Sequence, residues 1–168
     1  KAISLSDLLD EVPVDAARWF FNGKPDSPMD FDLGLAVRED SENPVYYVQY
    51  AHARLCNLMK NLEAEGDTVP AAKDVDMSLI AGETETALMK QLAAYCEEVR
   101  LAARDYDPSH LNRYLVDLAG AFHRFYNACR IKGEEPHLLA ARLKLAASAR
   151  TVLKNGMDLL GVTAPEKM

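Results

Sequence analysis

Leu111, Leu115, Leu118, Phe122, Phe125 and Cys129 recur in alternating steps of four and three. Such steps return side chains to one face of an α-helix, whereas a strand alternates faces at every residue. The same spacing runs through Val45, Val48, His52, Leu55, Met59 and Leu62, then Leu88, Leu92, Tyr95 and Val99, then Leu139, Leu143, Ala146, Ala149 and Leu153. Strand-like alternation is sustained nowhere. The expected fold is all-α, an antiparallel helical bundle of about five main helices, because the four-and-three seam is the one such bundles bury.

Punctuation residues divide the chain. Residues 4–22 read as two short helices broken at "VPVD", with Asp15 as N-cap of the second. The turn-rich "NGKPDSPMD" at 22–30 marks a boundary between a leading fragment and the main bundle. Asn43 as N-cap and Pro44 at the first helical position open a long helix that ends near Gly66, before the loop "GDTVPAAKDVD". Further helices are expected over 84–104, from Asp107 as N-cap with Pro108 just inside to an end at Gly133, and over 136–155, followed by "GMDLLGV" and the tail "TAPEKM". There are no internal repeats.

At 168 residues the chain suits one domain able to bury about two thirds of its unfolded surface. Its 49% apolar and 27% charged composition is that of a soluble globular protein. No stretch approaches the roughly 20 uncharged apolar residues of a membrane span. The start at Lys1, without methionine or a signal pattern, reads as a boundary inside a longer protein. Cys56, Cys96 and Cys129 show no CxxC pairing and are expected as reduced, buried thiols on helical stripes, in a cytosolic setting. His52, His110, His123 and His137 lack metal-ligand spacing, so no metal site is expected.

The net charge of −7 argues against general binding of nucleic acid, DNA included. Its distribution is uneven: residues 1–107 hold 10 Lys+Arg against 21 Asp+Glu, and residues 108–168 hold 9 against 5. A polyanion is therefore expected to meet the C-terminal part.

The chain carries no GxGxxG, GxxxxGK[ST] or GxSxG, and no strand-turn-helix context to hold a phosphate loop, which excludes a self-contained nucleotide-using enzyme. Glu97 with Glu98, and Glu134 with Glu135, are sequence neighbours that diverge around a helix and read as solvated faces. Tyr126 follows the core stripe of its helix instead of lying on it. Arg130 falls one turn further along, with His123 and Arg124 nearby. A ring and a guanidinium so placed either form a stacking platform for unpaired bases or are a tyrosine at the core edge beside a surface arginine. Tyr47, Tyr50 and Arg54 form a comparable stripe beside the core face of "NPVYYVQYAHAR", open to the same two readings.

The blocks "ISLSDLLDEVPVDAARWFF", "DFDLGLA", "NPVYYVQYAHARL", "YLVDLAGAFHRFYNACR" and "ARLKLAASARTVLKNGMDLLGVTAPEKM" resemble, in order and spacing, the C-terminal third of bacterial arginyl-tRNA synthetases. The likeness covers nearly the whole chain and is weakest at 66–82. In that class I family a Rossmann catalytic domain carries a HIGH-like motif and a KMSKS-like loop, and "KAISLSDLLDEV" resembles the stretch after that loop.

The resemblance implies that residues 1–25 end the catalytic and stem-contact region and that 26–168 form an anticodon-binding domain. It further implies tRNA(Arg) as partner, and ATP with Mg and arginine as ligands of a catalytic domain outside this chain. The chain alone would be inactive, and the parent a cytoplasmic monomer. By the same resemblance the anticodon contacts fall on Tyr126, Arg130 and Met168, where family members vary between aromatic and basic residues at the position of Arg130. Tyr47 and Tyr50 match tyrosines facing the tRNA. Arg54 either joins them or serves as a buried ion-pair partner. Splayed anticodon bases can be stacked and hydrogen-bonded, each stacked base contributing roughly 1–3 kcal/mol.

Overall fold

A computed structural model describes residues 4–168, so the first three residues of the "KAISLSDLLDEV" block lie outside it. Seven α-helices follow in order among these residues: α1 (Leu5–Glu11), α2 (Val14–Gly23), α3 (Leu33–Ala36), α4 (Pro44–Ala64), α5 (Glu83–Asp105), α6 (Ser109–Ala128) and α7 (Pro136–Leu160). The all-α expectation holds. Four of the five expected main helices are α4 to α7, and α2 is the fifth, shorter member. No helix among the described residues is long and apolar enough to cross a membrane.

The seam residues meet in one core. Val48, Leu55 and Leu62 of α4, Leu115, Leu118, Phe122 and Phe125 of α6, and Leu143, Leu153 and Met157 of α7 are almost wholly removed from water. Small residues let α7 run close to its neighbours: Ala141, Ala146 and Ala149 have no exposed surface, and a β-carbon on Gly156 would stand 2.6 Å from Leu115 Cδ2. Helix α5 is an outer layer, burying only Leu88 and Glu85 fully. Helix α2 inserts Ala16, Ala17 and Trp19 into the same core, and the Asn112 side chain of α6 donates to the Trp19 carbonyl at 2.9 Å.

Several boundaries differ from those read in sequence, each for a local reason. Asp15 does not cap α2; Pro13 holds that place, and the Asp15 carboxylate is engaged elsewhere. Asn43 opens α4 through its backbone, while its side-chain Nδ2 donates to the carbonyls of Ala36 and Arg38 (3.3 and 2.9 Å) and so closes the α3–α4 turn. Pro108, not Asp107, is the N-cap of α6; Asp107 lies one residue before it, its side chain accepting Ser109 N–H at 2.9 Å, and the helix stops at Ala128, well before Gly133. Helix α7 continues through "GMDLL", because Gly156 packs against Leu115 instead of breaking the helix, and ends at Gly161 with φ +69°. Helix α3, capped by Asp32, which accepts Leu35 N–H at 2.9 Å, was not among the expected helices.

The cysteines correct the expectation of burial. All three are free, but Cys56 and Cys129 are half-buried and Cys96, on the outer helix α5, is exposed.

Candidate functional site

Helices α4 and α6 pack with their apolar stripes inward, which sends the residues beside those stripes to the shared rim. From α4 this rim carries Tyr47, Tyr50 and Arg54; from α6 it carries His123 and Tyr126. The Tyr47 and Tyr50 rings approach the His123 ring, with centroids 5.0 and 5.9 Å apart, and Tyr46 stacks on Tyr50 at 6.4 Å and 5°. Gly120 lies beside this group: a β-carbon there would make ordinary contact, 3.5 Å from the Tyr47 hydroxyl and 3.4 Å from Arg124 Nη1. These rings, with Arg54 and Asn127, line an open cleft of about 360 Å³.

The Arg54 guanidinium lies over the Tyr126 ring, 4.1 Å from its centroid, and Nη1 reaches to 3.4 Å from His123 Nδ1. Tyr126 itself leans on buried Phe122 at 5.7 Å. Beyond this pair a second cleft of about 440 Å³ opens, lined by Asn57, Asn61, Glu65 and Lys132. Arg54 lines both hollows and Tyr126 the second, so the stacked guanidinium stands where the two meet. Lys132 is paired with Glu65 across the second one.

Burial, with the positive charge of Arg54 as a smaller push, lowers the His123 pKa to about 4. The ring is neutral at physiological pH. Arginine can only donate, so Nδ1 accepts and the proton sits on Nε2, which is buried and has no hydrogen-bond partner among the described residues. The face is thus aromatic, uncharged at His123, and carries its positive charge on Arg54 and on the exposed Arg124 at the rim.

The structure gathers Tyr47, Tyr50, Arg54 and Tyr126 on one face. None is swallowed by the core: Tyr50 is 43% exposed and the others are half-buried. Arg54 enters none of the ion pairs among the described residues, so the reading of it as a buried ion-pair partner gives way to a stack on Tyr126. Arg130 is not one helical turn past Tyr126, because α6 has already ended. It is exposed, and its Nε donates to the Lys132 carbonyl at 2.8 Å. The guanidinium beside Tyr126 comes from α4 instead. Met168 is half-exposed at the end of a tail that runs along the other flank of α4. Asn57 lines both that flank's cleft and the Tyr126 cleft.

Tyr46, Asn127, Asn57 and Asn61 belong to these hollows and had not been singled out in the sequence. Helical spacing carried the signal: Tyr46 and Asn127 lie four residues from Tyr50 and His123, and Asn57 and Asn61 lie three and seven from Arg54, on the same face.

Residues 48–168 match the DALR anticodon binding domain family. The chain is 54% identical to the arginine–tRNA ligase of Acetivibrio thermocellus and 52% identical to that of Ruminiclostridium cellulolyticum, in each case over 100% of this chain and 30% of that protein. It thus spans about a third of the length of these curated relatives. Among solved structures it is similar to an assigned arginyl-tRNA synthetase of Campylobacter jejuni (TM-score 0.87, 29% identity, 99% of this chain and 36% of that one). It is also similar to the Thermus thermophilus arginyl-tRNA synthetase (TM-score 0.78, 31% identity, 92% of this chain and 26% of that one). By the extent of the family match and the identity along its whole length, this chain belongs to the DALR anticodon binding domain family.

Proposed function

We propose that this chain is the C-terminal, tRNA-binding part of an arginine–tRNA ligase and that its α4–α6 face receives the anticodon loop of tRNA(Arg). The observation that carries the reading is the Arg54 guanidinium, stacked on Tyr126 and shared by two hollows, one of them lined by tyrosines. Loop bases are splayed from their stack and present flat faces and free hydrogen-bonding edges, which aromatic rings and a planar guanidinium complement. Arg54 is held by Tyr126 and His123 before any ligand arrives, so little of its side-chain freedom remains to be lost on binding. One of its five donors points at His123, leaving others for a base edge or phosphate. Tyrosine suits such a rim because its ring packs on the core and its hydroxyl stays in water.

On this reading residues 1–25 end the stem-contact region and 26–168 are the anticodon-binding domain. Arginylation, with ATP, Mg and arginine, belongs to a catalytic part outside this chain, and the parent is a cytoplasmic monomer. The acidic overall charge suppresses indiscriminate phosphate binding, so that docking depends on the rings and the few rim cations.

Titration of the chain with a tRNA(Arg) anticodon-arm hairpin, and with the same hairpin altered in its anticodon, tests the proposal. Preferential binding of the first is expected, with a loss of about 1–3 kcal/mol in Tyr50→Ala. Equal binding of both hairpins overturns it and favours a helical protein-interaction scaffold.

A further inference from the structure

Residues 162–168 follow α7 without helical structure, and the last hydrogen bond of the α7 cap joins Val162 N–H to the Met157 carbonyl. Such a terminus frays unless something ties it down. Here the ties come from side chains of α2 and α4. Asp15 Oδ1 accepts Thr163 N–H at 3.2 Å, while Oδ2 accepts the Thr163 hydroxyl and Gln49 Nε2–H, the latter at 2.9 Å. The same Gln49 amide nitrogen reaches the Thr163 carbonyl at 3.0 Å. Two residues on, the Pro165 carbonyl stands 2.8 Å from His52 Nδ1. Just before the clamp, Arg18 and Asn22 of α2 donate to the carbonyls of Gly161 and Leu160, at 2.7 and 3.0 Å.

We infer that Asp15 is a positioning residue for the C-terminal tail, setting from α2 the path by which Met168 lies along the flank of α4 beside the candidate RNA-binding face. Both carboxylate oxygens are used, and hydrogen bonds to an ionised acceptor are the strong ones. The base of the clamp is rigid, because Ala16, Ala17 and Trp19, the residues that follow on α2, are buried in the core. Reach decides the consequence. With Thr163 and Pro165 both held, only three residues remain beyond the last tie, about 10 Å of chain, whereas loss of the Asp15 bonds detaches the tail from α2 at Thr163 and leaves it on Gln49 and His52 of α4. A loose tail also loses affinity for any ligand by the fraction of time it spends elsewhere. Helix α2 and the C-terminal tail are therefore mechanically joined, although 148 positions separate Asp15 from Thr163.

The inference rests on the proposed function and takes Met168 as an RNA contact from the resemblance to arginyl-tRNA synthetases, and two measurements separate the two. Carboxypeptidase release of Met168 from the free chain needs no RNA. Asp15→Ala should speed release by about tenfold, the effect of losing one charge-assisted bond; unchanged release overturns the clamp whatever the RNA data show. Binding of the tRNA(Arg) anticodon-arm hairpin is then compared in the intact chain, Asp15→Ala, a chain lacking Met168, and both changes together. Asp15→Ala should weaken binding severalfold in the intact chain and have no further effect once Met168 is gone. Equal weakening with and without Met168 would assign Asp15 to the fold alone and overturn the inference. If Asp15→Ala lowers the melting temperature too far to be used, Thr163→Val, which removes the hydroxyl bond and keeps the shape, enters the same cycle under the same criteria.

Discussion

The Arg54 guanidinium of α4 rests 4.1 Å from the centroid of the Tyr126 ring of α6. This contact joins the two helices that form the candidate RNA-binding face, and its guanidinium lines both hollows there. Neither residue is in the core, so their pairing bears on what the face can hold more than on whether the chain folds.

Removing the ring should therefore be felt mainly in binding. Tyr126→Ala is expected to weaken the anticodon-arm hairpin by about 1–3 kcal/mol in titration, and Arg54→Lys to weaken it as well, since an ammonium lacks the planar fork that stacks on the ring. A Tyr126→Ala loss of melting temperature large enough to account for the binding change would show the ring to be a core residue.

Arg124 is exposed on α6 next to His123 and enters no ion pair among the described residues. If it meets a phosphate, Arg124→Ala should lower the slope of log affinity against log salt by about 1 and weaken matched and mismatched hairpins alike. An unchanged slope would remove Arg124 from the interface.

His123 gives a pH signature. Its pKa, about 4 when folded, lies below the roughly 6.5 of a free imidazole, so between those values the unfolded chain binds more protons. Stability linked to this ring is complete above about pH 6.5 and falls as the pH drops toward 4. Thermal melts of the wild type and His123→Gln, taken from pH 7 to 4.5, should show the wild-type melting temperature falling more steeply. Parallel curves would mean that the ring is not held neutral by burial.

Gly156 supplies a test of packing. An alanine inside a helix ordinarily gains about 1 kcal/mol over glycine. Here its β-carbon would stand 2.6 Å from Leu115 Cδ2, on a side chain with no exposed surface, and overpacking of that kind costs about 1–3 kcal/mol. Gly156→Ala should lower the denaturation midpoint; a rise would mean that Leu115 gives way freely.

The chain's own periodicity determined the helical class, the helices α4 to α7 and most of their buried faces, because a 3.6-residue repeat depends only on which residues are apolar. It also marked Tyr47, Tyr50 and Tyr126 as lying beside those faces, since an angle around one helix can be computed without knowing its neighbours. Tertiary packing alone decided the rest. Arg54, and not Arg130, meets Tyr126 because α6 ends at Ala128 and α4 passes alongside. "GMDLL" stays helical because Leu115 occupies the space a side chain at Gly156 would need. Asp15, which looked like a local cap, instead holds Thr163, far along the chain. Local spacing fixes the face a side chain points to, whereas the partner it finds there depends on which distant segment the core brings alongside.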